Sequence, residues 1–229
     1  MSDTVSPEVW MHRATAFEIL SLMLLPPVRE TAKALVTGEF STSCREVVEV
    51  LELDSAEEIS QEIQNLLDTY RGQDELETYH SLRKEHTHLF VGERESPVTP
   101  YVGVWAAQQR GQNGLLFVGK ESLEIERFMS RCGVTKNLAA GQVNDPMDHV
   151  GTICEFMKYL CLANARAIQI PEHVVIEEED FEVFAQKYFS PYALWCSDQI
   201  ARLARCSFYA AAAILLRSLC GLFVAKLDS

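Results

Sequence analysis

The sequence is poor in positive charge. It carries 20 Lys and Arg residues against 33 Asp and Glu residues, a formal net charge of −13 over 229 residues. No segment gathers the basic residues into a patch, and a surface of this kind repels phosphate backbones. We therefore expect no nucleic-acid partner. A cationic partner, such as an arginine-rich peptide, suits the charge better.

Long hydrophobic runs are also missing. The longest apolar run, residues 208–216, is flanked by Arg205 and Arg217 and reaches about half of the ~18 residues that a membrane span needs. The first ten residues, MSDTVSPEVW, contain no basic segment followed by an apolar run, so they do not predict a secretory signal. We expect no stable membrane insertion and a cytoplasmic location.

Cysteine is present but not in a pattern that builds a disulfide framework or a zinc site. The seven cysteines are odd in number and include no CxxC pair. Most of them fall within apolar helical patterns, where cysteine behaves as a small hydrophobic side chain. The sequence therefore predicts reduced, buried thiols.

Alternating strand patterns are almost absent, and we find no internal repeat. Residues 114–118 form the one plausible strand, and it is isolated. Helix signals are frequent: Ser6 and Pro7 predict a start, Pro26 and Pro27 a stop, and residues 55–58 a capping box. Residues 41 or 43 are expected to cap a third helix. We predict an all-α fold, a compact single domain over residues 1–229 with roughly nine to ten helices.

Residues 93–103 break the helical pattern. Pro97, Pro100 and Gly103 surround Tyr101, and Trp105 follows shortly after. This composition predicts an ordered loop. Its two aromatic rings could line a groove for a peptide, or they could fasten the loop to the core.

The segment from Asp145 to Leu160 contains the most specific candidate functional residues. Asp145 is a good N-cap and Pro146 fits a first helical position, so a helix is expected to start there with Asp148 and His149 in its first turn. The helix dipole favours an ionised Asp148 and a neutral His149. The pair could serve binding, catalysis, or only capping.

Further along the same predicted helix, the spacing of Val150, Cys154 and Met157 predicts a buried face. Glu155 lies on a more polar stripe. It either extends the functional site or pairs with Lys158 three residues later.

Three other patterns give weaker evidence for a functional site. Residues 114–120 approximate a phosphate loop, but Glu121 replaces the Ser or Thr that binds magnesium. His86 and His88 diverge on a helix, so they make a poor metal pair. The acidic run at residues 177–180 is typical of a solvated first helical turn. We expect no cofactor and no metal.

Two motifs together resemble the TorD/DmsD family of redox-enzyme maturation chaperones. The first reads Pro-Val-Thr-Pro-Tyr-Val-Gly-Val-Trp at residues 97–105, and the second reads Asp-Pro-Met-Asp-His at residues 145–149, followed by Glu-Phe-Met at residues 155–157. The resemblance extends from about Trp10 to Phe223.

Membership would imply an all-helical cytoplasmic chaperone, not an enzyme. It would bind the twin-arginine leader and the apo form of a molybdenum-containing reductase of the dimethyl sulfoxide or trimethylamine N-oxide type, hold it for molybdopterin insertion, and delay its export. Family members also exchange helices, so a homodimer is compatible with the resemblance. The resemblance assigns peptide binding to five residues: Pro100, Tyr101, Trp105, Asp148 and His149. The polar stripe of the predicted helix adds a sixth candidate, Glu155.

Three other functions fit parts of the sequence. A nitrate-reductase assembly chaperone would act without a leader. A small helical hydrolase would use Asp148, His149 and Glu155 with a metal or a nucleophile. A helical ligand-responsive regulator is the third, although the lack of a basic DNA-binding helix argues against direct nucleic-acid binding.

Overall fold

The computed structural model describes residues 5–92, 96–112, 119–135 and 146–224. These residues form ten continuous helical segments and no strand, which confirms the predicted all-α class. The α-helices are α1 Pro7–Leu24, α2 Arg29–Thr37, α3 Glu39–Val50, α4 Ala56–Asp68, α5 Glu75–His86, α6 Val102–Gln109, α7 Lys120–Arg131, α8 Val150–Asn164, α9 Glu178–Phe184, α10 Ser190–Leu203 and α11 Ser207–Val224. The predicted strand at 114–118 lies outside the described residues.

Two short π-helical turns extend neighbouring helices. The turn Thr87–Val91 continues α5, and the turn Ala185–Phe189 joins α9 to α10 in one unbroken run. Each π turn adds a residue to the helical repeat and so changes which side chains face the core.

Several helix ends follow the predicted capping chemistry. Ser6 caps α1, with its Oγ accepting a hydrogen bond from the Val9 amide at 3.3 Å, and Pro7 occupies the first position. Gly38 ends α2 in the left-handed conformation at φ 82°. Only glycine adopts that conformation without strain.

Two predicted caps are wrong. Ser55 precedes α4 with φ 60° and makes no side-chain capping bond, so the capping box at residues 55–58 does not form. Helix α3 begins at Glu39, directly after Gly38, and not at Ser41 or Ser43. Ser41 instead donates to Asp68 Oδ1 on α4 at 2.5 Å, which ties α3 to its neighbour.

Helix α1 packs along α8, and the pair forms the centre of the core. Lys158 Nζ lies 2.7 Å from Glu18 Oε1 midway along the pair, and Leu25, just after α1, lies against Gly151 at the start of α8, so the two helices run antiparallel. The predicted buried face of α8 is confirmed, since Val150, Cys154 and Met157 are fully buried. This packing fixes where α8 begins relative to α1.

The start of α8 differs from the prediction. The helix begins at Val150, and His149 is its N-cap, with Nδ1 accepting from the Gly151 amide at 3.1 Å. Asp148 and His149 therefore precede the helix and do not occupy its first turn. Asp145, the predicted cap, lies outside the described residues. The reason is that residues 146–149 form a turn, and His149 is held extended by contacts to another segment, which are described below.

All seven cysteines are free thiols, and all except Cys206 are buried. Burial raises the pKa of Cys44 to about 12 and that of Cys132 to about 11. No helix in the described ranges is both long and apolar enough to cross a membrane.

Candidate functional site

The loop before α6 and the segment before α8 meet in an isolated antiparallel bridge between Tyr101 and His149. The Val102 amide donates to the Asp148 carbonyl oxygen at 3.1 Å, and the Val150 amide donates to the Pro100 carbonyl oxygen at 2.8 Å. Two segments that are distant in sequence are thereby held side by side. The side chains of Tyr101 and His149 meet as a result, with ring centroids 5.5 Å apart and edge-to-face geometry.

The Asp148 carboxylate lies beneath this bridge and is only 3% exposed. Its Oδ2 accepts a hydrogen bond from the Gly103 amide at 2.9 Å and another from Ser122 Oγ at 2.7 Å. We call these three residues the Asp148 clamp. It connects the first turn of α6, the first turn of α7 and the residue that leads into the α8 cap.

The backbone at two glycines lies very close to neighbouring atoms of the clamp. A Cβ on Gly103 would overlap Ser122 Oγ and lie 3.0 Å from Asp148 Oδ2. A Cβ on Gly119 would lie 3.2 Å from the Gly103 carbonyl oxygen. Glycine at both positions therefore lets α6 and the start of α7 come within hydrogen-bonding range of Asp148.

His149 is half-buried and has a defined role in its own helix. Its Nδ1 accepts the Gly151 amide, so that nitrogen carries no proton in this arrangement. In a neutral ring the proton is then on Nε2, which is a hydrogen-bond donor.

The aromatic residues of the loop divide between the core and the rim of the site, by which we mean the rings of Tyr101 and His149. Tyr101 and Trp105 lie one turn apart on the same side of α6, and both are half-buried. Trp105 packs edge-on against Tyr192 at 5.7 Å and against Trp195 at 6.3 Å, both on α10. Pro100 is buried and contributes its carbonyl group to the bridge.

Tyr192 anchors the other side of the loop. Its phenol donates to the Thr99 carbonyl oxygen at 2.7 Å, and burial raises its pKa well above the usual value, which keeps it a proton donor. The loop is thus fixed by α10 on one side and by Asp148 on the other.

A second histidine lies behind the rim. His86, at the end of α5, is 8% exposed, and its ring packs 5.0 Å from that of Phe90. Burial is the main cause that lowers its pKa to about 4, a hydrogen bond with the Leu24 backbone opposes the shift, and the nearby His149 and Arg83 add smaller lowering effects. His86 therefore stays neutral near pH 7.

Glu155 is exposed on α8, six residues beyond His149. That separation corresponds to about 9 Å along the axis and a rotation of about 120° away from the cap. The proposed pairing with Lys158 is not seen, because Lys158 binds Glu18 on α1. The structure thus brings together Tyr101, Asp148 and His149, with Trp105 one turn away and Glu155 on a separate face.

Other clefts occur elsewhere among the described residues. One of about 600 Å³ runs along α4 and is lined by Glu57, Glu58, Gln61, Glu62, Asn65 and Leu66. It is wide open and made of side chains on a single helix. The bridge region, by contrast, is built by hydrogen bonds between segments that are distant in sequence, and we take it as the candidate site for that reason.

The remaining sequence patterns do not form sites in the described part of the chain. His86 is buried in α5 while His88 lies in the following π turn, and no cluster of three or more His, Cys, Asp or Glu residues suited to a metal occurs among the residues described. The phosphate-loop pattern falls mostly in residues 113–118, which are outside the described ranges. Asp180 belongs to the first turn of α9 and pairs with Arg131 at 2.5 Å.

Ser122 and Tyr192 are site residues that the sequence did not predict. Ser122 lies 26 positions from Asp148, and Tyr192 lies 93 positions from Thr99. No local pattern marks either residue, because each acquires its role only when separate helices pack together.

Fold and site together define a class: an all-helical protein with a polar and aromatic surface built where a loop meets a helix cap. The chain belongs to the family described as nitrate reductase delta subunit, whose model matches residues 53–196. This is the family of NarJ/TorD-type redox-enzyme maturation chaperones, so the resemblance noted from the sequence is confirmed. The matched range contains the loop, the Asp148 clamp and the first half of α10.

Membership indicates a chaperone of molybdoenzyme assembly, of the nitrate-reductase type, and the family is one of maturation proteins, not catalysts. A search of curated proteins gave no match.

Proposed function

We propose that this chaperone binds the twin-arginine leader of a molybdenum-containing reductase of the dimethyl sulfoxide or trimethylamine N-oxide type. It holds the apoenzyme in the cytoplasm for molybdopterin insertion and delays its export. Binding depends on Pro100, Tyr101, Trp105, Asp148 and His149, with Glu155 further along α8.

The Tyr101–His149 bridge carries this proposal. It places an aromatic edge and an imidazole on one surface, above a buried carboxylate. A leader with two arginines followed by an apolar stretch offers guanidinium groups that can stack on these rings, and methylene and leucine groups that can pack against them. The net charge of −13 favours encounter with a cationic peptide.

Titration calorimetry with a synthetic leader peptide tests the assignment. His149→Ala and Tyr101→Ala should each weaken binding by about tenfold, the size expected when a central contact of an interface is removed. Asp148→Ala combined with His149→Ala should abolish measurable binding. His173→Ala is the matched control, since His173 is exposed after α8, and it should bind as the parent does. Equal affinity for all variants would reject the site.

The family description favours a second candidate, a nitrate-reductase assembly chaperone that recognises its client without a leader. Copurification of the tagged chaperone with client subunits separates the two. A client that remains bound after its leader is deleted supports the second candidate, whereas loss of the complex on leader deletion supports the first.

A further inference from the structure

We infer that Asp148 serves the binding surface as a positioning residue, acting through Ser122 and Gly103, and does not itself contact the peptide. Ser122 becomes a further residue on which recognition depends. This inference rests on the proposed peptide-binding function and assigns the mechanism by which one of its residues acts.

The geometry of the carboxylate supports this role. Asp148 is 3% exposed, and its Oδ2 already accepts two hydrogen bonds of 2.9 and 2.7 Å. An arginine of a peptide would have to displace part of the loop to form a bidentate pair with it. Removing either donor leaves a buried carboxylate less satisfied, and this is costly.

The clamp is also linked directly, through the backbone, to the rings of Tyr101 and His149 at the rim. The same residue that accepts the Ser122 and Gly103 donors through its side chain accepts the Val102 amide through its carbonyl group. The next residue, His149, forms the bridge with Tyr101. Movement of Asp148 therefore moves both rings of the rim.

Neighbouring contacts provide an internal control. Glu121, next to Ser122 on α7, pairs with Arg110 at the end of α6 through bonds of 2.5 and 3.0 Å. This pair joins the same two helices as the clamp, but it is exposed and does not touch Asp148. Exposed pairs of this kind contribute little to stability.

The substitution Asp148→Asn tests whether the negative charge of residue 148 or its hydrogen bonds in the clamp matter for binding. The asparagine carbonyl oxygen can accept the same two hydrogen bonds, while the negative charge is lost. We expect Asp148→Asn to bind the leader peptide within about threefold of the parent, with an unchanged dependence on salt. Asp148→Ala and Ser122→Ala, which break the clamp, should each bind about tenfold more weakly, and Glu121→Gln should bind as the parent does.

Amide hydrogen exchange supplies a readout that does not need the peptide. Ser122→Ala should speed exchange at Val102 and Val150, whose amides form the bridge, while amides in the middle of α8 keep their protection. Glu121→Gln should change neither.

The outcomes are distinct. If Asp148→Asn binds as weakly as Asp148→Ala and flattens the salt dependence, the carboxylate contacts the peptide and the inference fails. It fails equally if Ser122→Ala matches the parent in affinity and in exchange. If the parent protein binds no leader peptide, the proposed function falls, and the exchange comparison still decides whether Ser122 holds the bridge.

Discussion

At the scale of single residues, the site depends on what each side chain contacts more than on its chemical type. Asp148 could be singled out from the sequence because it lies beside a histidine near a helix start. Its donors could not, since Gly103 and Ser122 lie 45 and 26 positions away. A buried carboxylate with two donors holds structure in place, whereas an exposed carboxylate is open to a ligand.

Gly103→Ala tests the close approach of α6 to the clamp. The added methyl group would overlap Ser122 Oγ and crowd Asp148 Oδ2, so we expect a loss of about 1–3 kcal/mol in the free energy of unfolding. Urea denaturation measures this. In a Ser122→Ala background the added cost should shrink, because the obstructing hydroxyl is gone. Simple additivity of the two substitutions would contradict the packing described.

His86 should make stability depend on pH. Its folded pKa of about 4 lies below the ordinary histidine value of 6.5, so the unfolded chain binds the proton more readily. The stabilisation is complete above about pH 6.5 and is lost as pH falls toward 4. Between pH 7 and 4.5 we expect the parent to lose about 2–3 kcal/mol more than His86→Leu. Thermal unfolding of both proteins across this range measures the difference, and parallel curves would contradict the assignment.

At the scale of helices, boundaries were harder to predict than faces. The buried face of α8 followed from its spacing, because apolar periodicity directly reports which side meets the core. The start of the same helix was misplaced, because Asp145 and Pro146 favour a cap locally while the bridge to the loop holds His149 extended. At α8, local preference is overridden because another segment supplies hydrogen bonds. Ser55 fails as a cap for a different reason, since its backbone is left-handed and its side chain makes no capping bond.

The packing of α1 against α8 predicts a contrast between two leucines on α1. Leu20 is fully buried, whereas Leu22 is 42% exposed. Leu20→Ala should lower the free energy of unfolding by about 2–5 kcal/mol, because it leaves a cavity in the core. Leu22→Ala is the matched control and should cost less than about 0.5 kcal/mol. Similar losses in urea denaturation would mean that the face of α1 is assigned incorrectly.

At the scale of the whole molecule, the fold class and the family could be predicted from the sequence, and the assembly of the site could not. The rarity of strand patterns and the frequency of helix caps indicated an all-α chain, and the two motifs at 97–105 and 145–149 indicated the family. Residues 101 and 149 could be named separately, but only the folded chain shows that they form a bridge.

The net charge of −13 predicts a salt effect on association. Exposed charges are screened over about 8 Å at physiological ionic strength, so raising the salt concentration should slow association with a leader peptide and weaken its binding. Stopped-flow fluorescence from Trp105 and Trp195 can follow the reaction. A peptide in which both arginines are replaced by glutamine is the control and should show little salt dependence. An equal salt effect on both peptides would argue against charge steering.

The most direct test of the central claim is to map where the leader lies. A leader peptide carrying a photo-crosslinking residue next to its arginines is irradiated with the chaperone, and the attachment points are found by mass spectrometry. We predict attachment within residues 100–105 and 149–155, and loss of that attachment in Tyr101→Ala combined with His149→Ala. Attachment mainly along the acidic cleft of α4, at residues 57–66, would contradict the site proposed here.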